Sequence, residues 1–147
     1  MEQKLTVIVS APELDGVVAG ALIGRAEEGR AEALVFDSQR LAQFFQPSVQ
    51  GKLPRGYDLV LCGLRVTHVD WDGQLVRPRL MDALRGFKGP IRWFAAAPWE
   101  PEDVRAVGHL IGEGNLVLAG PRKRVAPLVR EALFGHEDEY EDGLARL

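Results

Sequence analysis

Residues 7–23 read VIVSAPELDGVVAGALI, and this stretch decides the fold. An apolar run ends in a short acidic turn, and a second run that is rich in small residues follows at once. The first run has the length and the branched side chains of a buried β-strand, whereas the second continues with apolar residues at helical spacing. The sequence therefore predicts that the chain opens with a strand, a tight turn and a helix.

The same alternation continues along the whole chain. Five apolar runs predict strands at 5–10, 31–37, 57–66, 90–97 and 115–120, and their near-continuous hydrophobicity predicts cover on both faces. Segments with apolar residues three and four apart predict helices at 16–29, 38–51, 77–87, 100–114 and 121–135. We therefore predict one Rossmann-like, three-layer α/β domain over residues 1–135, with a mainly parallel sheet of about five strands. Residues 136–147 are predicted to form an acidic C-terminal tail.

Charge, cysteine content and the length of the apolar runs exclude several classes of protein. The chain has 147 residues, a net charge of −3 and a single cysteine, Cys62, which lies inside an apolar run. A slightly acidic protein does not attract polyanions broadly, so we do not expect a nucleic-acid partner. No apolar run approaches the roughly 18–20 residues that a membrane span needs, and no signal peptide is evident. We expect a cytoplasmic protein, with Cys62 as a buried and inert thiol.

Three segments, in this order along the chain, define a recognisable frame. They are SAPELDG (10–16), YDLVLCGL (57–64) and GPIRWFAAAPWEPED (89–103). The frame resembles the DHH phosphoesterase superfamily, which includes RecJ-type exonucleases, oligoribonucleases, exopolyphosphatases and manganese pyrophosphatases. In that superfamily the first segment reads H/D-x-D-x-D-G before a small-residue helix, the second ends in an aspartate, and the third ends in Asp-His-His. The resemblance implies an α/β domain whose strand ends once carried metal ligands.

Most of those ligands are replaced. The superfamily's metal-binding positions fall on Ala11, Glu13, Asp15, Gly63 or Leu64, and the three alanines at 95–97. Only Glu13 and Asp15 could bind a cation, whereas hard divalent ions take about six ligands and a two-metal site needs shared carboxylates. We therefore expect a non-catalytic binding, regulatory or scaffold protein without a cofactor. Asp15 could instead cap a helix, because its carboxylate can accept from free backbone N–H groups.

A second acidic stretch keeps an alternative open. THVDWDG (67–73) contains His68, Asp70 and Asp72, which alternate along the chain and could therefore point one way from an extended segment. Together with Glu13 and Asp15 they could build an altered site for Mn²⁺ in a phosphoesterase acting on oligonucleotides or polyphosphate. The competing interpretation is a β-hairpin, since Asp-Gly is a strong signal for a tight turn.

Two further hypotheses concern ligands and partners. Arg122, Lys123 and Arg124 follow the last predicted strand and could hold a phosphate-containing small ligand, or they could form a solvated basic turn. A receiver-like signalling module would need an acceptor aspartate after the third strand, and that position offers none. Active members of the superfamily usually carry a second domain that grips the substrate, so we expect a protein partner or a homodimer here.

Overall fold

A computed structural model describes residues 5–27, 30–53, 56–66, 73, 77–96, 99–120 and 124–134. The strands are β1 (Leu5–Ser10), β2 (Arg30–Val35), β3 (Asp58–Cys62), β4 (Ile91–Ala96) and β5 (Leu116–Ala119). The helices are α1 (Leu14–Ala26), α2 (Ser38–Phe44), α3 (Pro47–Gln50), α4 (Arg77–Gly86), α5 (Pro101–Ile111) and α6 (Val125–Phe134). Among the helices in these ranges, none is both long and apolar enough to cross a lipid bilayer.

The five strands form one sheet in the order β2-β1-β3-β4-β5, and every neighbouring pair is parallel. The prediction of a three-layer α/β fold with a parallel sheet of about five strands is therefore confirmed. β2 lies on one side of β1, whereas β3, β4 and β5 follow one another on the other side. Because crossovers between parallel strands keep one hand, the later crossover helices belong on the face opposite α1.

Two apolar layers confirm that placement. On one face, β-strand side chains pack with Leu41 of α2, Leu80 of α4 and Val107 of α5. On the other face, Ile8 and its neighbours pack with residues of α1 and α6. α6 has no strand after it in the described sheet, and it lies beside α1. The central strands β1, β3 and β4 are thus buried between helices, as is usual in a parallel sheet.

The prediction of cover on both faces is wrong for β2. All of its residues are exposed except Leu34, which is half-buried. The reason is topological: β2 is one of the two edge strands of the sheet, and sequence spacing does not indicate which strands lie at the edges. Arg30 and Glu32 form a 2.8 Å ion pair along this edge, and charged side chains are a common feature of edge strands.

Two predicted elements are shorter than expected. The helix predicted at 38–51 is divided into α2 and α3, because Pro47 has no backbone N–H to continue the hydrogen bonds of α2. The strand predicted at 57–66 ends at Cys62, and Gly63 then turns with a φ of 79°. The predicted acidic tail, 136–147, lies outside the described residues.

Candidate functional site

The topology places a switch point between β1 and β3. From β1 the chain continues into α1 on one face of the sheet, whereas after β3 it continues to α4 on the other. Ligands of open parallel sheets usually bind beyond the carboxyl ends of the strands at such a point. A cavity of about 210 Å³ lies there, and its lining residues are Ala11, Pro12, Glu13, Asp37, Gly63, Leu64 and Arg65.

Close backbone packing forms the floor of this switch-point cavity. The Ala11 N–H donates to the Cys62 carbonyl at 2.9 Å, which extends the pairing of β1 with β3 by one residue. A Cβ on Gly16 would lie 3.1 Å from the Ala11 oxygen and 3.2 Å from the Cys62 oxygen. Glycine at this position therefore lets the first turn of α1 rest directly on the two strand ends.

Glu13 lies at the mouth of this cavity. It occupies the N-cap position of α1, but its side chain makes no capping hydrogen bond and is exposed. Its Oε1 atom lies 3.3 Å from the place that a Cβ on Gly63 would occupy. Glu13 is thus a carboxylate facing the switch point without a structural bond to its own helix.

Asp15, two residues further on, has a structural role. Its Oδ2 accepts from the Val125 N–H at 2.7 Å and its Oδ1 accepts from the Ala126 N–H at 2.9 Å. These N–H groups open α6, so the carboxylate caps that helix and meets its positive end. The sequence hypothesis that Asp15 caps a helix is confirmed, but the helix is α6 and not the one to which Asp15 belongs.

The capping bonds limit what Asp15 can do for a cation. Each carboxylate oxygen already accepts one short hydrogen bond, and a metal would have to compete with the helix end for the same charge. Over the ranges that the structure describes, no group of three or more His, Cys, Asp or Glu side chains is placed to hold a metal ion. Glu13 and Asp15 therefore do not form a metal cage with other described residues.

Asp37, which follows the second predicted strand, also lines the switch-point cavity. Its Oδ1 accepts from the Arg40 N–H at 2.8 Å, and its backbone oxygen accepts from Leu41. This is an N-cap bond at the start of α2. The signal was available, because an aspartate directly after a strand and before a helical pattern is typical of a cap. Its carboxylate, like that of Asp15, serves a helix end.

Small side chains occupy the ends of β4 and β5. Ala95 is buried and Ala96 half-buried at the end of β4, and Ala119 is buried at the end of β5. Ala97, the last of the three alanines, lies outside the described residues. The indole N–H of Trp93 donates to the Leu64 oxygen at 3.1 Å, and Trp99 packs edge-on against Trp93 at 5.2 Å between ring centroids. The tryptophans beside the alanines therefore pack within the fold and have a structural role.

Other predicted site residues are only partly located. His68, Asp70 and Asp72, which were proposed for an altered metal site, lie outside the described residues, as do Arg122 and Lys123. Arg124 is half-buried directly before α6. The described structure therefore places Glu13 at the switch-point cavity and directs the Asp15 carboxylate to the start of α6, and it leaves the other hypotheses untested.

No protein-family model matches this sequence, and no curated protein matches it significantly. Membership of the DHH superfamily thus stays a prediction from the three sequence segments.

The one thiol in the chain is not a nucleophile for this site. Cys62 is buried at the end of β3, beneath the switch point. Burial raises the pKa of its thiol to about 12; Arg92 opposes this shift and Asp15 adds to it. At neutral pH the side chain therefore stays a protonated, apolar group of the core.

Proposed function

We propose that this chain is a non-catalytic DHH-like domain that acts as a binding, regulatory or scaffold protein, in the cytoplasm and without a cofactor. The observation that carries the proposal is the double hydrogen bond from the start of α6 to Asp15. Asp15 stands at the last aspartate position of the superfamily's first segment. In this chain its charge stabilises a helix end, where the superfamily's role would require it to bind a metal.

The ends of the neighbouring strands support the same proposal. Gly63, Ala95 and Ala96 carry no group that can chelate a metal. Catalysis of phosphoryl transfer depends on positioning and on neutralising the developing charge, which carboxylate-bound metal ions usually supply. Alanine and glycine at these positions contribute no charge and no side-chain ligand for a metal.

The switch-point cavity suits a protein group better than a free phosphate. At about 210 Å³ it is smaller than the roughly 300–1,000 Å³ of typical ligand sites. Its charged lining residues are Glu13, Asp37 and Arg65, and the two carboxylates disfavour an anion. A phosphate-containing ligand is therefore the second choice, and a partner side chain is the first.

Exposed apolar side chains lie along the same part of the molecule. Leu14 and Val17 are 57% and 41% exposed in the first turn of α1, and Val35, at the end of β2, is 48% exposed. Exposed apolar groups beside a cavity are typical of contact surfaces. We include a homodimer in the proposal, and sedimentation of the wild type and of Leu14→Glu tests it. Val49→Glu on α3, where the side chain is 37% exposed, is the matched control.

The decisive experiment is a titration with Mn²⁺ by calorimetry. We expect no stoichiometric site with micromolar affinity in the wild type. The same preparation should show no manganese-dependent hydrolysis of short oligonucleotides, polyphosphate or cyclic dinucleotides. A micromolar Mn²⁺ site that is lost in Glu13→Gln or Asp15→Asn, together with hydrolysis lost in the same variants, would establish the phosphoesterase alternative instead.

A further inference from the structure

A second cavity lies at the opposite edge of the sheet from the switch point. Its volume is about 630 Å³, inside the roughly 300–1,000 Å³ range of small-molecule sites. It opens beside the residues that precede β3 and β4. We call it the amino-edge cavity, and its lining residues are Phe45, Gln50, Leu53, Gly56, Tyr57, Asp82, Ala83, Gly86, Phe87, Lys88 and Gly89.

Three aromatic rings form its walls. The Phe87 ring packs against Tyr57 at 5.0 Å and against Phe45 at 5.8 Å between centroids, with interplanar angles of 51° and 62°. Phe44 supports Tyr57 from behind at 6.4 Å. These rings come from three separate segments of the chain, so their mutual packing fixes them before any ligand arrives. The wall is therefore apolar, aromatic and preorganised.

A partly buried polar pair, Tyr57 and Gln50, lies within the same wall. The Tyr57 hydroxyl donates to the Gln50 Oε1 at 2.8 Å, and the Gln50 Nε2 donates to the Phe44 oxygen at 2.8 Å. Tyr57 is only 4% exposed. The phenol has already used its one proton, while both its oxygen and the amide oxygen of Gln50 retain lone pairs. The pair can therefore mainly accept further hydrogen bonds from a ligand.

Glycines shape the amino-edge cavity. A Cβ on Gly56 or on Gly86 would meet no atom within 4 Å, so their missing side chains leave open space. A Cβ on Gly89 would lie 2.5 Å from the backbone carbonyl oxygen of Tyr57 and 2.9 Å from the Phe87 ring. Gly89 therefore lets the Phe87 ring sit against the backbone, while Gly56 and Gly86 keep the entrance free.

We propose that the amino-edge cavity binds a small planar aromatic molecule that carries an N–H or O–H donor. The ring of the ligand would pack among the walls of Phe45, Tyr57 and Phe87, and its donor would reach the oxygens of the Tyr57–Gln50 pair. Asp82 and Lys88 give the lining one charge of each sign, so the site does not select for a strongly charged ligand. This proposal is independent of the function assigned to the switch point.

Indole is the probe for the full-length protein, and 1-methylindole is the matched ligand without the donor. Binding is measured by saturation-transfer NMR and by calorimetry. We expect indole to bind, and 1-methylindole to bind about tenfold more weakly, because it cannot donate the additional hydrogen bond to the oxygens of the pair. Equal affinity for the two compounds would overturn the assignment of the donor, and no saturation transfer to indole would overturn the site.

Gly86→Leu places a side chain in the open space at the end of α4 and should abolish indole binding. Gly114→Leu is the control, because a Cβ there also meets nothing within 4 Å but lies far along the chain in the turn after α5. Thermal unfolding verifies that both variants fold. If Gly86→Leu does not fold, Ala83→Met on the same helix replaces it. Indole binding that persists in the folded cavity variant, or that is lost equally in Gly114→Leu, would contradict the proposal.

Discussion

Asp15 lies in the acidic turn after β1, and its carboxylate caps the distant helix α6. Its backbone lies in the first turn of α1, beside the strand ends where a ligand would bind. Its carboxylate nevertheless accepts from N–H groups 110 and 111 residues away in the chain. A hydrogen bond that joins a charged group to a helix end is stronger than a bond between neutral groups. Asp15 therefore ties the two helices on this face of the sheet together.

Replacing Asp15 by alanine should lower the free energy of unfolding by about 2 kcal/mol, because two N–H groups of α6 lose their charged acceptor. Asp15→Asn should cost less, since the amide oxygen can still accept one bond. The control is Glu13→Ala, two residues away, where an exposed carboxylate makes no capping bond; it should change stability by less than about 0.5 kcal/mol. Urea denaturation measures all three. If Asp15→Ala is as stable as Glu13→Ala, the cap does not contribute to stability.

At this scale the sequence located the acidic turn and offered capping as one of its roles. It could not indicate which helix is capped, because helix α6 is brought to Asp15 only by the order of the strands. The same limit applies to Tyr57 and Gln50. Nothing in their spacing distinguishes a hydrogen-bonded pair in the wall of a cavity from two separate surface residues.

Helix α1 is held against the sheet by glycines four residues apart. A Cβ on Gly20 would overlap the Ser10 hydroxyl and lie 3.3 Å from a methyl group of Ile8. A Cβ on Gly24 would meet the Ile8 side chain at 3.6 Å, which is ordinary van der Waals contact. The helix therefore has no room for a side chain at position 20 but can accept a methyl group at position 24.

Gly20→Ala should destabilise the protein by about 1–3 kcal/mol through overpacking. Gly24→Ala should stabilise it by up to about 1 kcal/mol, because alanine has the higher helix propensity and fits the available space. Adding Ser10→Ala to Gly20→Ala should recover part of the loss, since the overlapping hydroxyl is removed, and a double-mutant cycle of urea midpoints measures that coupling. Equal effects of the two glycine substitutions would show that α1 does not approach β1 this closely.

Hydrophobic periodicity predicted the type of every long element but not its surroundings. The run that became β2 has the composition of a buried strand, yet it lies at the edge of the sheet and is exposed. A strand's position in the sheet depends on long-range pairing, which composition does not record. Pro47 did carry a local signal for a helix break, and the structure divides the predicted helix at that residue.

For the whole molecule, the two edges of the sheet differ in a way that the fold class does not anticipate. The general rule for parallel sheets directs attention to the carboxyl edge, where the cavity is about 210 Å³. The larger cavity, about 630 Å³, lies at the amino edge. Phe45 and Phe87, which are 42 positions apart in the sequence, pack against each other and form part of its wall. The molecule thus combines a small, acid-lined switch point with a larger aromatic cavity.

The Cys62 thiol and the Tyr57 phenol, one in each apolar layer, should make the stability of the whole fold decrease at alkaline pH. Burial raises the pKa of Cys62 from its ordinary 9.0 to about 12. Burial also raises the pKa of Tyr57 above its ordinary 10.0, although the hydrogen bond to Gln50 acts in the opposite direction. Above about pH 9 the unfolded chain releases these protons while the folded protein retains them, so the free energy of unfolding must fall as pH rises.

Urea unfolding between pH 7 and pH 10.5 checks this expectation. The wild type should lose stability progressively above about pH 9, where an unfolded thiol begins to ionise. Cys62→Ala should reduce that slope first, and adding Tyr57→Phe should reduce it further near pH 10, even though both substitutions lower the stability at neutral pH. The slope is the diagnostic quantity, because a lost packing contact shifts the whole curve whereas a lost titration changes its shape. Parallel curves for the wild type and the double variant would mean that neither proton is retained on folding.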